Sequence, residues 1–398
     1  MREHARSAGL SNTIIINTCA VTAEAERQAR QAIRRARRKN PDSHIIATGC
    51  AVQISPETYA AMPEVSQVLG NIEKLELESF KSESKDNSRV KDIMTVRETA
   101  NHLIDGFEGR SRAFIQIQNG CDHRCTFCVI PFGRGNSRSV PMGEISQQVQ
   151  KLVSNGFQEV VFTGVDITSY GTDLPGSPSL GQMVRRVLGA NKNLPRLRLS
   201  SLDPSEVDND LLDLITKEPR LMPHLHLSLQ AGDNLILKRM KRRHSREQAI
   251  SFTSKVRKLR PDIIFGADFI TAFPTESDAM FENTLNLVEE CGLTYLHVFP
   301  YSPRPETPAA LMPQVEQQKI KDRAELLRSI GVMSLNKHIN NEIGISRSVL
   351  IERDGFGRTE HFTPVKVSGG KPGPIVEVNI VGHSDNKLVG IIQKSTAL

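Results

Sequence analysis

The chain has 398 residues, 38% of them hydrophobic and 24% charged, a balance that suits a globular protein of two or three domains. No apolar run approaches the length of a transmembrane helix, so no membrane partner is expected. The net charge of +6 leans toward polyanions, and the polar opening Met1–Gly9 does not read as a targeting peptide, so a reduced cytoplasm is the expected compartment.

The first stretch alternates strand and helix. A short helix is expected near Met1–Ala8, a buried strand over Thr13–Asn17, a helix over Val21–Asn40 and a second strand over His44–Thr48. Thr22 and Glu24 mark the long helix's start, and Asn40-Pro41 stops it. Strand, helix, strand predicts parallel pairing with a right-handed crossover. Cys19 and Cys50 then sit just past the carboxyl ends of neighbouring strands, where ligand sites of open α/β sheets form and where two thiols could share one metal. This N-terminal α/β domain is expected over residues 1–85. Residues 86–112, within a polar and charged stretch, read as a linker.

Residues 113–342 repeat strand then helix. Strands are expected at Phe114–Gln118, Glu159–Thr163, Arg196–Ser200, His224–Leu229, Ile263–Ile270 and Tyr295–Phe299. Helices such as Glu144–Ser154, Ser245–Leu259 and Asp278–Glu290 lie between, and a long helix over Pro313–Asn341 closes the region. Six such units predict a partial (β/α) barrel with its chemistry at the carboxyl ends of the strands. Residues 343–398 carry short β-rich runs separated by turns at Asp354-Gly355, Gly369-Gly370 and Asp385-Asn386, which predicts a small β-barrel. The expected fold class is therefore α/β throughout, with an all-β terminal module.

Three cysteines stand in the run Cys121-Asp-His-Arg-Cys125-Thr-Phe-Cys128, directly after the first barrel strand. They supply three thiolates from one loop, whereas a cubane iron–sulfur cluster normally takes four. One iron would remain open to a ligand. Structural zinc usually shows two Cys pairs or a Cys pair with paired histidines, and a disulfide does not suit a reduced compartment. C-x3-C-x2-C with an aromatic before the last Cys resembles the signature of the radical S-adenosylmethionine (SAM) enzymes. That resemblance implies a [4Fe-4S] cluster whose open iron chelates SAM, and reductive cleavage of SAM to a 5′-deoxyadenosyl radical.

The ordered motifs together resemble one family, the radical SAM methylthiotransferases, over essentially the whole chain. Asn17-Thr-Cys19-Ala-Val-Thr-Ala-Glu-Ala-Glu-Arg with Thr48-Gly-Cys50-Ala carries the first part. Cys121–Cys128 continuing into Val129-Ile-Pro-Phe-Gly-Arg-Gly-Asn-Ser-Arg-Ser carries the second, and the terminal β-module, similar to the RNA-binding TRAM barrel, the third. The motifs look most like the branch acting on threonylcarbamoyladenosine 37 of tRNA. The other branches act on isopentenyladenosine in tRNA and on a ribosomal protein. The resemblance implies a methylthio group added to C2 of the base, an inert C–H position, with SAM as methyl donor and radical source and an outside electron donor.

It also implies roles. Cys121, Cys125 and Cys128 would ligate the SAM-binding cluster, and Cys19 and Cys50 an auxiliary [4Fe-4S] cluster. The family has a third N-terminal cysteine, after a first strand; neither has a counterpart here, so the first strand is expected to be missing and the auxiliary site incomplete. Phe127 would shield the cluster or the adenine, or is a core aromatic. Gly164 and Asp166, after the second barrel strand, would meet the methionine part of SAM, and Ser200, Gln230 and Asp268 occupy comparable strand-end positions; each also has an ordinary reading as a cap or turn residue. Arg134 and Arg138, and Lys241 and Arg242 within Lys238–His244, would contact tRNA phosphate, as would the arginines from Arg27 to Arg38; a solvated helix face is the ordinary reading of such a run. Cys291 reads as a packed thiol. A monomer is expected. An inactive iron–sulfur RNA-binding protein is the non-catalytic alternative.

Overall fold

A computed structural model describes residues 1–81, 87–97 and 111–393. The chain folds as two compact units. The first comprises residues 1–100, 119–138 and 302–312, and the second residues 101–118, 139–301 and 313–398.

The first unit is built on a parallel sheet of β1 (Thr13–Thr18), β2 (His44–Gly49), β3 (Gln67–Leu69) and β4 (Ser88–Arg89), in that order. The register runs from Thr13 opposite His44 to Thr18 opposite Gly49, so Cys19 and Cys50 leave adjacent strands at the same level. Helix α1 (Ala23–Lys39) crosses between β1 and β2. The Thr22 hydroxyl accepts from the Ala25 amide at 3.1 Å and caps it, and Ala29 and Ile33, one helical turn apart, bury its inner face. β3 and β4 were not expected. β4 lies inside the stretch read as linker and extends the sheet there, and the rest of that stretch's middle falls outside the described residues.

In the second unit six parallel strands form a partial barrel: β5 (Arg112–Gln116), β6 (Glu159–Thr163), β7 (Arg196–Leu199), β8 (His224–Gln230), β9 (Ile264–Thr271) and β10 (Leu293–Pro300). β5-β6-β7 and β8-β9-β10 are each hydrogen-bonded sheets, joined by bridges Leu197–Leu221 and Leu202–Leu227. Alternation sets the two faces. Val160, Phe162, Leu197, Leu199, Leu225, Leu227, Phe265 and Phe269 join the core beneath the outer helices. Their neighbours Glu159, Arg196, Arg198, His226, Asp268 and His297 point the other way, into the lumen.

The chain ends in a closed barrel of β11 (Ser346–Arg353), β12 (Phe356–Thr359), β13 (Pro364–Val367), β14 (Ile375–Ser384) and β15 (Lys387–Ile392) around Val349, Ile351, Val365, Val378 and Leu388. It is fastened to the amino-terminal end of the partial barrel. Glu159, 0% exposed, takes hydrogen bonds from Arg112 and from Arg198 Nε at 2.8 Å, with Arg196 Nη1 at 3.8 Å. Arg112 continues to Glu352 at 2.6 Å, Arg196 to the Ser348 carbonyl at 2.7 Å and Arg198 to the Thr359 carbonyl at 3.0 Å. Burial pushes the Glu159 carboxyl up, but the Arg198 and Arg112 guanidiniums outweigh it and hold it below its ordinary value. The Phe362 ring lies under the guanidiniums of Arg112, Arg198 and Arg358 at 4.3 to 5.0 Å. No described helix is long and apolar enough to cross a membrane.

Candidate active site

In the first unit the end of β2 is fixed by a glycine. Gly49 has φ +106°, and a Cβ there would stand 2.3 Å from the Thr18 carbonyl oxygen. The Thr18 hydroxyl donates to the Thr48 carbonyl at 2.8 Å and accepts from the Val52 amide at 3.2 Å. Together these hold Cys50 at the first turn of the short helix Cys50–Ile54.

Cys50 is buried and its sulfur is surrounded by donors. Arg134 Nε approaches Sγ at 3.0 Å and Asn71 Nδ2 at 3.8 Å. Asn71 also donates to the Gly133 carbonyl at 2.6 Å and accepts from Lys74 Nζ at 2.6 Å, and Lys74 reaches Asn17 at 3.3 Å. Burial, with the Arg134 charge beside it, brings the Lys74 ammonium down to about 8. A sulfur that accepts from a guanidinium and a carboxamide has the donor surroundings typical of a metal ligand. Cys19, in contrast, is exposed, and its sulfur takes a 3.5 Å contact from the Val21 amide.

The loop Cys121–Cys128 belongs to the same unit. Its ends are closed by the Cys121 amide on the Gly135 carbonyl at 3.1 Å and the Ser137 amide on Asp122 at 2.9 Å. Arg124 bridges the Cys121 carbonyl and Asn136, each at 2.9 Å. The Cys128 amide turns back onto the Cys125 carbonyl at 3.1 Å, and the Ile130 amide points at Cys128 Sγ at 3.5 Å. None of the six cysteines is in a disulfide, and these three are half-buried. The helix that follows, Ile130–Arg134, packs on Cys50–Ile54 so closely that a Cβ on Gly133 would lie 3.0 Å from Cys50 Cβ. The two cysteine groups thus share one wall. Segment 302–312 buttresses it: the Ala309 amide donates to the Thr126 carbonyl at 2.9 Å, and Arg304 pairs with Glu26 of α1.

Three thiolates from one loop fit a cluster with one open iron, and the donor set at Cys50 fits a thiolate ligand. Phe127, beside Cys128, is half-buried.

In the second unit, Gln118 Oε1 accepts from the Val165 and Asp166 amides at 3.0 and 2.8 Å and shapes the Thr163–Asp166 segment that contains Gly164. Asp166 accepts from the Thr168 and Ser169 hydroxyls at 3.0 and 2.7 Å, closing a 3₁₀ turn. The Ser200 amide extends β7 to the Phe162 carbonyl at 2.9 Å. Gln230 ends β8 with φ +67°, in the left-handed region. Asp268 differs from expectation: it lies inside β9, not past its end, and bonds His226 and His297 across the lumen face.

The basic residues divide. Arg134 faces Cys50. Arg138 is 2% exposed and donates to the Arg134 and Val96 carbonyls at 2.9 and 3.3 Å. Arg242 bonds Asp203 and the Ser228 carbonyl, each at 2.8 Å. Lys241, at φ +58°, is exposed. Arg35, Arg38 and Lys39 of α1 are exposed, while Arg37 is tied to the Glu64, Pro41 and Ser43 carbonyls. Asn71, Lys74, His226 and His297 were not foreseen. The alternation of β8 and β10 was the one available signal, since it places both histidines on Asp268's face.

Residues 115–288 match the model of the radical SAM superfamily, and residues 2–70 that of uncharacterized protein family UPF0004. The chain is 54% identical, over 92% of its length and 87% of the relative, to the threonylcarbamoyladenosine tRNA methylthiotransferase MtaB of Rickettsia prowazekii. It is 31% identical, over 97% of its length and 91% of the relative, to the tRNA-2-methylthio-N6-dimethylallyladenosine synthase of Ruegeria pomeroyi. Among solved structures, the radical SAM methyltransferase TsrM of Kitasatospora setae shares the fold with a TM-score of 0.55 at 14% identity, covering 75% of this chain and 64% of that one. The chain belongs to the radical SAM methylthiotransferase family and is an enzyme of that family, most similar to its threonylcarbamoyladenosine branch.

Proposed function

We propose that this enzyme adds a methylthio group to C2 of N6-threonylcarbamoyladenosine at position 37 of tRNA, in the anticodon loop. The observation that carries the reading is the shared wall of the first unit, where the helix after Cys128 packs its Gly133 against Cys50 and aims Arg134 at that sulfur. The 54% identity to a threonylcarbamoyladenosine enzyme, against 31% to a dimethylallyladenosine one, favours the substrate.

Cys121, Cys125 and Cys128 would hold the SAM-binding [4Fe-4S] cluster, and Cys50 with Cys19 would contribute to the auxiliary one. When bound, the clusters and SAM supply one-electron chemistry able to activate a purine C–H bond that no acid or base could reach. The protein's share is placement. The Gly133–Cys50 contact fixes the spacing of the two cysteine groups, and Arg134 and Asn71 donate to the Cys50 sulfur. Gly164, Asp166, Ser200 and Gln230, at the strand ends of the second unit, are the residues that would contact SAM. Exposed Lys241, Arg35, Arg38 and Lys39 give phosphate affinity, and the terminal β-barrel, a TRAM-like module, grips the RNA backbone. The enzyme works as a monomer in the cytoplasm, where its tRNA is, and takes electrons from a separate reductant.

The test is mass spectrometry of tRNA nucleosides from a strain lacking methylthio-threonylcarbamoyladenosine that expresses this chain. The methylthio nucleoside should appear, and should vanish with Cys125→Ala. Methylthiolation of dimethylallyladenosine alone would overturn the substrate assignment.

A further inference from the structure

Three lumen-facing side chains have no part in the chemistry above. Asp268 Oδ1 accepts from His226 Nε2 at 3.0 Å and from His297 Nδ1 at 3.1 Å, and the two imidazoles lie 4.4 Å apart. Strand register makes this a designed meeting: Asp268 of β9 stands directly opposite His297 of β10, and His226 comes from β8 on the other side. Exposure then falls off sharply across the triad. His226 is 9% exposed and the Asp268 side chain 20%, but the His297 side chain is 60% exposed.

The inner pair therefore acts as a holder for the outer ring. Burial alone would push the Asp268 carboxyl up, but the two imidazole hydrogen bonds outweigh it and bring it down to about 2. The same bond raises His297 above its ordinary value. With Nδ1 engaged by Asp268, the nitrogen that His297 offers to the lumen is Nε2. Phe299, two residues along the same strand and on the same face, roughly 7 Å away, is 43% exposed. An aromatic face beside an anchored imidazole, a fixed cation whenever Nε2 carries a proton, suits a planar base that carries an acidic substituent.

The substrate proposed above has this chemistry. Its adenine bears an N6 substituent ending in the free α-carboxylate of threonine, whereas a dimethylallyl substituent carries no charge. We propose that His297 is the specificity-determining residue that receives this carboxylate, with Asp268 and His226 as positioning residues and Phe299 as the surface against which the base or its substituent lies. The inference rests on the threonylcarbamoyladenosine reading. It explains how a lumen built for purine chemistry selects a charged substituent. A ring already fixed by Asp268 loses little freedom on binding, and its protonated form is left facing an uncharged chain when the wrong substituent enters.

The test uses the cluster-reconstituted full chain and two anticodon stem-loop RNAs. One carries threonylcarbamoyladenosine and the other its methyl ester, which keeps the shape and removes the charge. The native enzyme should prefer the acid in KM by about 10-fold or more, the size of one charged hydrogen bond. His297→Gln should raise the KM for the acid to that for the ester, so that the preference disappears. His297→Lys, which restores a cation on the same strand position, should restore a preference of at least a few-fold. Equilibrium binding of the two RNAs should split in the same way. The inference is overturned if the native enzyme treats acid and ester alike. It is equally overturned if His297→Gln weakens both RNAs by the same factor and His297→Lys rescues neither, since a purely structural triad behaves so. A native enzyme that modifies neither RNA but accepts a dimethylallyladenosine stem-loop would instead overturn the substrate reading on which the inference stands.

Discussion

Replacing Arg134 by Met keeps most of the aliphatic stem and removes one hydrogen bond, Nε to Cys50 Sγ at 3.0 Å, together with a positive charge half-shielded from water. Hydrogen bonds to a charged group contribute about 1.5–3 kcal/mol, which is about 10- to 150-fold in an equilibrium constant. Donors around metal ligands typically change metal affinity by about 10- to 100-fold. The auxiliary iron should therefore be lost at roughly 10- to 100-fold lower chelator concentration, while the iron held by Cys121, Cys125 and Cys128 stays in place. The assay is an anaerobic chelator titration that follows iron, sulfide and the visible absorption of each cluster. The variant in which the cluster survives should also show a lower auxiliary reduction potential, since a donor and a cation have left the sulfur. A residue that met tRNA phosphate would behave differently: iron would be retained, and the slope of log affinity against log salt would fall by about one. Iron retention equal to the native chain would refute the role assigned to Arg134.

Glu159→Gln leaves three buried guanidiniums without their central counter-charge and should destabilise the second unit by about 3–5 kcal/mol, read as a lowered thermal midpoint; Glu159→Gln with Arg198→Met should recover part of the loss. Because the Glu159 carboxyl is held below its ordinary value, its contribution is fully present above the ordinary carboxylate range near pH 4.3 and is lost as pH falls through the lowered value, so the native-to-Gln gap in stability should shrink only on acidification. Gly49→Ala puts a methyl against the Thr18 carbonyl in a left-handed conformation and should lower both the thermal midpoint and the auxiliary iron content, whereas Gly189→Ala, in the open on an outer helix, should do neither. Cys291 is fully buried in the barrel core and burial pushes its thiol up to about 11, so Cys291→Ala should leave iron content unchanged and cost about 1 kcal/mol of stability.

Much of the fold was readable because its signals are local. The hydroxyl cap at Thr22, the Asn40-Pro41 stop and the six apolar strand runs are properties of short windows, and the observed elements match them to within a few residues. β3 and β4 escaped because strands of three and two residues carry no periodicity; the parallel neighbour supplies what the window lacks. The spacing of Cys121, Cys125 and Cys128 located their loop after β5 for the same reason, since a ligand set delivered by eight consecutive residues is a local pattern.

The surroundings of Cys50 are the opposite case. Asn71 lies 21 residues away, Arg134 lies 84 away, and nothing in the intervening sequence pairs them. Basic runs mislead for a related reason. In Lys238–His244 the charges alternate between outside and inside as the helix gives way to a turn. Arg239 bonds Thr275, Arg242 bonds Asp203 and His244 meets the Leu229 carbonyl, while Lys241 stays exposed. A guanidinium reaches several buried carbonyls at once, so an arginine in a basic run is often part of the scaffold, and a lysine, which snorkels, is the better candidate for phosphate. By that reasoning exposed Lys241, Lys39 and the outer arginines of α1 are better candidates for tRNA phosphate than the bonded arginines. Arg134, which follows the cysteine loop, instead points its guanidinium at the Cys50 sulfur.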